Sequence, residues 1–163
     1  MRIIGGDARG RTIVAPAGAK TRPTQDYVRE SLFNIIRWDV EDARVLDLFA
    51  GTGQLGIEAL SRGAKKCTFV ENNRQAYKVV EENVKHCKLE QGARIVMGDA
   101  YAFLSRRDSF DIAFLDPPYK QGIIDKCLPL LLPMMSDDGV VICETSRDAV
   151  SYTHLTLPTN SLV

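Results

Sequence analysis

The residues best suited to chemistry form one tetrapeptide, Asp116-Pro117-Pro118-Tyr119, directly after a short apolar stretch. An amine attached to an aromatic base is a weak nucleophile because its lone pair is delocalised into the ring. The Asp116 carboxylate and the Pro117 carbonyl offer two acceptors for the two N–H bonds of such an amine, and this would turn its lone pair outward. The prolines stiffen the backbone, and Tyr119 offers a flat face to an extruded base. All four are therefore predicted catalytic residues, the alternative being a chance surface turn.

A second group of residues predicts a site for an adenosine cofactor. Gly51, Gly53 and Gly56 match the pattern GxGxxG between an apolar stretch and a helix-forming one. Gly51 and Gly53 allow a turn that brings backbone N–H groups against a ligand, and Gly56 lets a helix approach a strand. Glu71 ends the next strand, where its carboxylate could accept both hydrogens of a ribose diol. These residues alone fit both NAD and S-adenosylmethionine (SAM), or a tight strand–helix turn with no ligand.

Two further carboxylates favour SAM. Asp47 lies four residues before Gly51, at the end of the first predicted strand. A carboxylate there would repel the pyrophosphate of a dinucleotide, whereas it would attract the ammonium and sulfonium groups of SAM. In the pair Asp99-Ala100, the Asp99 carboxylate is suited to accept the hydrogens of the adenine amino group. It is equally suited to cap the helix that follows, and the two roles are compatible.

The elements that must position these residues alternate along the chain from residue 44 onwards. Short, continuously apolar strands between amphipathic helices indicate a doubly wound, mostly parallel α/β sheet of the Rossmann-like kind. In such a sheet the carboxyl ends of the strands meet at one edge, where ligands bind. The predicted strands are 45–48, 67–70, 94–97, 112–115 and 140–144, the last introduced by a turn at 137–139, and the predicted helices are 56–62, 74–88, 101–105 and 123–132.

The N-terminal residues 1–37 form a basic arm on an acidic body. They carry seven Lys or Arg against three acids, whereas the remainder carries 14 against 18. Such an arm could hold phosphates locally, or its arginines could simply keep an exposed hairpin in solution. The pattern predicts a hairpin of 2–4 with 11–14, then a helix at 25–37 that docks on the body. Its predicted buried face consists of Val28, Leu32, Ile35 and Ile36.

Size and composition exclude several other classes of protein. A chain of 163 residues has room for one core, and no apolar run approaches the roughly 18 residues that would span a bilayer. The N-terminus lacks the apolar run of a signal peptide. Four cysteines without CxxC spacing and only two histidines predict reduced thiols and no metal site. A cytoplasmic, metal-free monomer is expected.

The last residues, 151–163, differ from the rest. They contain no charged side chain, although the preceding 150 residues carry 42. Residues 152–157 could pair as an apolar edge strand, which when unpaired invites strand swapping. We therefore predict a catalytic domain at 38–150, which forms one compact unit with the arm at 1–37, and a tail at 151–163 that is foreign or frameshifted. The alternative is a natural edge strand.

Taken together, the residues quoted above resemble the class I SAM-dependent methyltransferases that act on exocyclic amines. The opening MRIIGG, the RPT at 22–24 and the VRESLFN at 28–34 are similar to the bacterial 16S rRNA guanine-N2-methyltransferases of the RsmD type. The resemblance covers residues 1 to about 150. The tail departs from it, since it does not look like the closing strands of such enzymes.

The resemblance implies a seven-stranded sheet, SAM as cofactor and a guanine of small-subunit ribosomal RNA as target, either in the RNA or in an assembly particle. It also implies that Arg9, Arg11 and Arg22 help to hold the RNA. Other functions fit parts of the pattern. They are methylation of adenine N6 in DNA or of a glutamine amide in a protein, an NAD-dependent oxidoreductase, and an RNA-binding module without activity.

Overall fold

The computed structural model of the protein describes residues 1–15, 23–118, 122–144 and 152–156, and for 23–25 and 152–156 it describes the backbone alone. The helices are α1 (Pro23–Ile35), α2 (Arg37–Val40), α3 (Gln54–Ser61), α4 (Arg74–His86), α5 (Ala100–Phe103) and α6 (Ile123–Leu131). The strands are β1 (Arg44–Asp47), β2 (Lys66–Glu71), β3 (Ala93–Met97), β4 (Phe110–Leu115), β5 (Met135–Glu144) and β6 (Tyr152–Thr156).

The described strands form one sheet in the order β3-β2-β1-β4-β5-β6. The first five run parallel, and β6 pairs with β5 in the antiparallel sense. The doubly wound, mostly parallel fold predicted from the sequence is confirmed. The chain leaves β1 toward β2 on one side and returns to β4 on the other, so the strand order reverses at β1. A crevice opens at such a switch point, beyond the carboxyl ends of the strands.

Each face of the sheet carries its own hydrophobic cluster, because successive strand residues point to opposite faces. On one face, Phe33 of α1 packs against Phe114 of β4 with ring centroids 5.9 Å apart. The N-terminal arm, α3 and α4 cover the same face. On the other face, Phe103 of α5 and Leu131 of α6 pack over Leu46 of β1. The site at the sheet edge is therefore supported from both sides.

Helix α1 docks on the sheet, but its buried face differs in part from the prediction. Leu32 and Ile36 are buried as expected, whereas Ile35 is 64% exposed. Leu32 and Phe33 fill the buried face one turn earlier, and α1 ends at Ile35, so Ile36 lies beyond the helix and does not follow its period. The buried face also includes Arg29, which the hydrophobic pattern could not reveal.

The predicted hairpin of the arm is present and is held by polar groups of α3. Within the arm, the Ile3 N–H donates to the Arg11 carbonyl at 3.0 Å. The fully buried Glu58 carboxylate accepts the N–H groups of Ile4 at 3.0 Å and Gly5 at 2.9 Å. The same carboxylate pairs with the Arg62 guanidinium at 2.9 Å. A buried charge is tolerated when it is paired and hydrogen-bonded in this way.

The fifth strand corrects the prediction of a turn at 137–139. Phe110 pairs with Met135, but Ile112 pairs with Val140, so the register shifts between the two pairs. The residues of the predicted turn therefore lie inside a strand that has already begun at Met135, where its pairing with β4 is irregular. The Asp-Asp-Gly sequence is typical of a turn, and only the pairing of Met135 with β4 shows that the strand begins before it.

The described tail residues Tyr152–Thr156 pair along β5, with Val140 opposite Thr156. This confirms the predicted strand, whereas the origin of the tail stays a prediction. Six strands lie in the part of the chain that the structure describes, compared with the seven that the resemblance implies.

The structure also bears on the predictions about membrane spans and cysteines. Over the described ranges, no helix is both long and apolar enough to cross a bilayer. The four cysteines are buried and free.

Gly56 tests how closely α3 must approach the sheet. A Cβ atom at this position would lie 2.3 Å from Phe69 Cε1 and 2.6 Å from Cys67 Sγ. We expect Gly56→Ala to lower the free energy of unfolding by about 1–3 kcal/mol, because both neighbours are buried and cannot move freely. Gly98→Ala is the control, since a Cβ there meets nothing within 4 Å. Urea denaturation of both variants checks this, and equal stabilities would contradict it.

Candidate active site

A cleft of about 840 Å³ opens at the carboxyl edge of the sheet, where the strand order reverses. Its volume lies within the usual range of roughly 300–1,000 Å³ for ligand sites. It brings together eight of the predicted site residues from four separate parts of the chain. These are Asp47, Gly51, Glu71, Asp99, Ala100, Asp116, Pro117 and Pro118. The sites predicted for a cofactor and for catalysis are therefore one cleft.

Asp47 lies at the floor of the cleft and is 3% exposed. Its Oδ2 accepts the Gly56 N–H at 3.1 Å, which joins the end of β1 to the first turn of α3. The pKa of the Asp47 carboxyl is raised from 3.8 to about 7, mainly because the group is buried. The Gly56 hydrogen bond opposes this rise, and the nearby charge of Glu71 contributes to it. A cation placed beside this carboxyl would favour its charged form.

Gly51 and Gly53 shape the loop between β1 and α3 in different ways. Both have positive φ angles, +58° and +80°, which favour glycine. A Cβ at Gly51 would point into open space, and Gly51 lines the cleft. A Cβ at Gly53 would instead lie 3.2 Å from Val80 Cγ1, and Gly53 is not among the lining residues. Gly53 therefore contributes to the turn, and its predicted contact with a cofactor stays a prediction.

Glu71, at the end of β2, is held in place before any ligand binds. Its Oε2 accepts the Gly51 N–H at 2.7 Å, and its Oε1 accepts the Asn73 N–H at 2.9 Å. Each carboxylate oxygen has a second lone pair, so hydrogens of a diol could still be accepted. The bond to Gly51 also connects Glu71, the residue predicted to bind a diol, to the loop between β1 and α3.

Asp99 occupies the third strand end and caps α5. Its Oδ2 accepts the Ala102 N–H at 3.0 Å, so the helix-capping interpretation is confirmed. Asp99 is nevertheless exposed and lines the cleft with Ala100 and Tyr101. A role in binding adenine is compatible with this geometry and stays a prediction.

Asp116, Pro117 and Pro118 follow β4 directly and line the cleft next to β1. Asp47 pairs with Phe114 of β4, and Asp116 lies two residues after Phe114 along the chain. Pro117 is buried, whereas Asp116 and Pro118 are exposed to the cleft. Tyr119 lies outside the described residues, and its stacking role stays a prediction.

Of the predicted RNA-binding arginines, Arg9 and Arg11 are not among the residues that line the cleft. The Arg11 guanidinium donates to the His86 carbonyl at 2.9 Å, at the end of α4 opposite to Asn73. Asn73 lines the cleft, and a helix of 13 residues spans about 20 Å. Arg9 is exposed on the same hairpin, and Arg22 lies outside the described residues. Their role in holding RNA stays a prediction.

Sequence reasoning missed several lining residues. Asn72 and Asn73 were detectable, because they directly follow the acid that ends β2. Tyr101 follows the predicted Asp99-Ala100 pair and was equally accessible. The contribution of Ile123 depends on how α6 packs, which the pattern of one helix does not define. The other lining residues that were not predicted are Leu48, Phe49, Ala50, Thr52, Gln54, Leu55, Val70, Ala76 and Gly98.

The chain is similar to known proteins over most of its length. The family described as Conserved hypothetical protein 95 matches residues 1–159 of the chain. YlbH of Bacillus subtilis is 42% identical over 154 residues, which cover 91% of this chain and 84% of YlbH. Ribosomal RNA small subunit methyltransferase D of Escherichia coli K12 is 38% identical over 148 residues, which cover 89% of this chain and 74% of the relative.

The fold is also similar to that of a solved structure. Hypothetical protein TTHA0928 of Thermus thermophilus superposes with a TM-score of 0.78 at 30% identity, covering 97% of this chain and 98% of that protein. The resemblance stated from the sequence is thereby confirmed. The chain belongs to the family of Conserved hypothetical protein 95, alongside relatives named ribosomal RNA small subunit methyltransferase D, and it is a methyltransferase.

Proposed function

We propose that the protein transfers the methyl group of SAM to the exocyclic N2 amine of a guanine in small-subunit ribosomal RNA. The observation that carries the proposal is the position of Asp116-Pro117 in the same cleft as Asp47 and Glu71. One end of the cleft thus offers acceptors for an amine, while the other offers carboxylates for a cationic cofactor.

The charges of the cleft support SAM as the cofactor. Four carboxylates line it, those of Asp47, Glu71, Asp99 and Asp116, and the lining residues that the structure describes include no Lys or Arg. Such a surface attracts the cationic ammonium and sulfonium of SAM and repels a pyrophosphate. These charges count against an NAD-dependent oxidoreductase. We assign the ammonium to the region of Asp47, the ribose to Glu71 and the adenine to Asp99 and Ala100.

The substrate amine would be held by the residues that follow β4. Bound SAM supplies a methyl group made electrophilic by a sulfonium. Asp116 and the Pro117 carbonyl would accept the two N–H bonds of the amine, and this would turn its lone pair toward the methyl group. The proton that the methylated nitrogen must lose would pass to Asp116 or to water. In this proposal Pro118 stiffens the acceptor loop and Tyr119 stacks on the guanine.

The relatives support ribosomal RNA as the substrate class. The name of the Escherichia coli relative includes the small ribosomal subunit, and that relative spans most of this chain. The basic arm carrying Arg9, Arg11 and Arg22 would hold phosphates. Adenine N6 and glutamine amides present an N–H₂ group to the same acceptors, so the chemistry of the cleft alone does not separate them from guanine.

The setting of the reaction follows from this substrate. We place the protein in the cytoplasm as a monomer that acts on ribosomal RNA or an assembly particle without a metal. We retain the division into an arm at 1–37, a catalytic domain at 38–150 and an atypical tail at 151–163, with arm and catalytic domain in one compact unit.

Asp116→Ala tests the acceptor pair. We expect turnover to fall by about 10²–10³-fold, because one of two groups that orient the amine is lost, while SAM affinity stays within about two-fold. Methyl transfer to small-subunit RNA from tritiated SAM, with nucleoside analysis of the product, measures turnover, and calorimetry measures affinity. Asp108→Ala is the control, since this carboxylate pairs with Arg94 at the surface. Near-normal turnover of Asp116→Ala would refute the assignment.

Asp47 predicts how SAM affinity depends on pH. The folded pKa of about 7 exceeds 3.8, so the protonated carboxyl favours the folded protein. This contribution is complete below about pH 4 and is lost as the pH rises through about 7. A bound cation needs the charged form, so SAM affinity should rise between about pH 6 and pH 8.

The matched variant for this prediction is Asp47→Asn, which cannot ionise. It should bind SAM more weakly and with a smaller pH dependence, which calorimetry at several pH values can measure. The two proteins differ only at this side chain, so the difference between their pH profiles reports Asp47 and its pairing with the cation. Identical pH profiles would contradict the assignment.

A further inference from the structure

One buried side chain touches both the arm and the loop that lines the cleft. Asn83 of α4 is 1% exposed. Its Oδ1 accepts the Val14 N–H at 2.8 Å, and its Nδ2 donates to the Val14 carbonyl at 3.1 Å. The same Nδ2 donates to the Thr52 carbonyl at 3.0 Å. Both N–H bonds and the oxygen of the amide are therefore used, in part by the arm and in part by the loop.

The Thr52 carbonyl is a sensitive point in that loop. Thr52 lines the cleft between Gly51 and Gly53, two glycines at positive φ angles. The peptide between Thr52 and Gly53 is held at both of its polar groups: its N–H donates to the Ala50 carbonyl at 2.8 Å, and its carbonyl accepts from Asn83. Gly51, whose N–H meets Glu71, lies directly before Thr52 in the same loop. Because glycine restricts its backbone less than any other residue, loss of the Asn83 bond would leave this part of the loop freer to move.

Val14 is held mainly through its backbone. Its side chain is 53% exposed, whereas its N–H and its carbonyl both bond to Asn83. If this part of the arm left the body, the Asn83 amide would lose two of its three partners and could turn away from Thr52. Conversely, a loop ordered by a ligand holds Asn83 in the orientation that accepts Val14.

We propose that Asn83 is a positioning residue that couples docking of the arm to the affinity of the cleft for SAM. The proposal rests on the proposed function, because it takes SAM as the ligand of the cleft and the arm as the RNA-holding segment. Coupling of this kind is reciprocal: whatever orders Val14 against Asn83 strengthens SAM binding, and SAM binding orders Val14 to the same degree. RNA seated on the arm would then raise the affinity for SAM.

The chain offers a matched control at the other end of the arm. Ser61 Oγ accepts the Ala8 N–H at 2.9 Å and donates to the Gly5 carbonyl at 2.6 Å. Ser61 ends α3, whereas the glycine loop precedes that helix. Ser61→Ala therefore loosens the arm at residues 5–8 and leaves the bonds between Val14 and Asn83 in place.

The test compares variants on the arm with variants on α4. Val14→Pro deletes the N–H that donates to Asn83 and leaves Asn83 and Thr52 in place, and Val14→Ala keeps that N–H and controls for the exposed side chain. We expect Val14→Pro and Asn83→Ala to raise the Kd for SAM, measured by calorimetry, by roughly five-fold or more. Val14→Ala and Ser61→Ala should stay within about two-fold.

Hydrogen exchange gives a second measurement that needs no turnover. Saturating SAM should slow exchange of the Val14 amide of the wild-type protein by the factor that Val14→Pro loses in affinity. In Asn83→Ala, SAM should leave that exchange unchanged. If Asn83→Ala does not fold, Val14→Pro and the wild-type exchange decide the question.

The outcomes separate the coupling from the proposed function. A wild-type protein that binds no SAM would overturn both. A wild-type protein that binds SAM and methylates RNA, with Val14→Pro binding as tightly as Val14→Ala, would overturn the coupling alone. Equal loss of affinity in Ser61→Ala and Val14→Pro would also overturn it, because any loosening of the arm would then suffice.

Discussion

The hydrogen bond from the Gly56 N–H to the buried Asp47 carboxylate fixes the end of β1 against the first turn of α3. A buried carboxylate is costly unless such donors surround it, and a helix N-terminus presents them. Helix α3 can approach the sheet this closely because Gly56 has no side chain to separate it from Phe69. The two ends of the loop that carries Gly51 are set by this one attachment, and Asn83 holds the Thr52 carbonyl within it.

A second set of buried polar groups adds the arm to this frame. Glu58, Ser61 and Asn83 point from α3 and α4 toward the backbone of residues 1–15 and satisfy its N–H and C=O groups. The arm thereby completes a hydrophobic cluster that contains Ile3 and Ile13 on the same face as α1. Polar side chains thus provide the geometry of this contact, while apolar side chains provide most of its burial.

The sequence predicted the site better than it predicted the attachments. Asp47, Glu71 and Asp116 were identifiable because each directly follows an apolar strand, and parallel strands end at one edge. Glu58 and Asn83 were not, since a polar residue within an amphipathic helix normally faces water, and only the docked arm reveals that these two do not. The irregular pairing of β5 with β4 and the buried face of α1 likewise depend on contacts between distant elements, which local patterns do not contain.

The attachments of the arm also constrain how the chain is made. Residues 1–15 bond to groups of α3 and α4 that lie 53 to 75 positions further along, and Arg2 also bonds to Arg29, 27 positions along. During synthesis from the N-terminus, the bonds to Glu58 and Ser61 must await α3, and those to Asn83 and His86 must await α4. The segment with the excess of positive charge is therefore translated before the residues that secure it. Until α4 has been made, a nascent chain carries this segment unsecured, beside the polyanionic machine that is translating it.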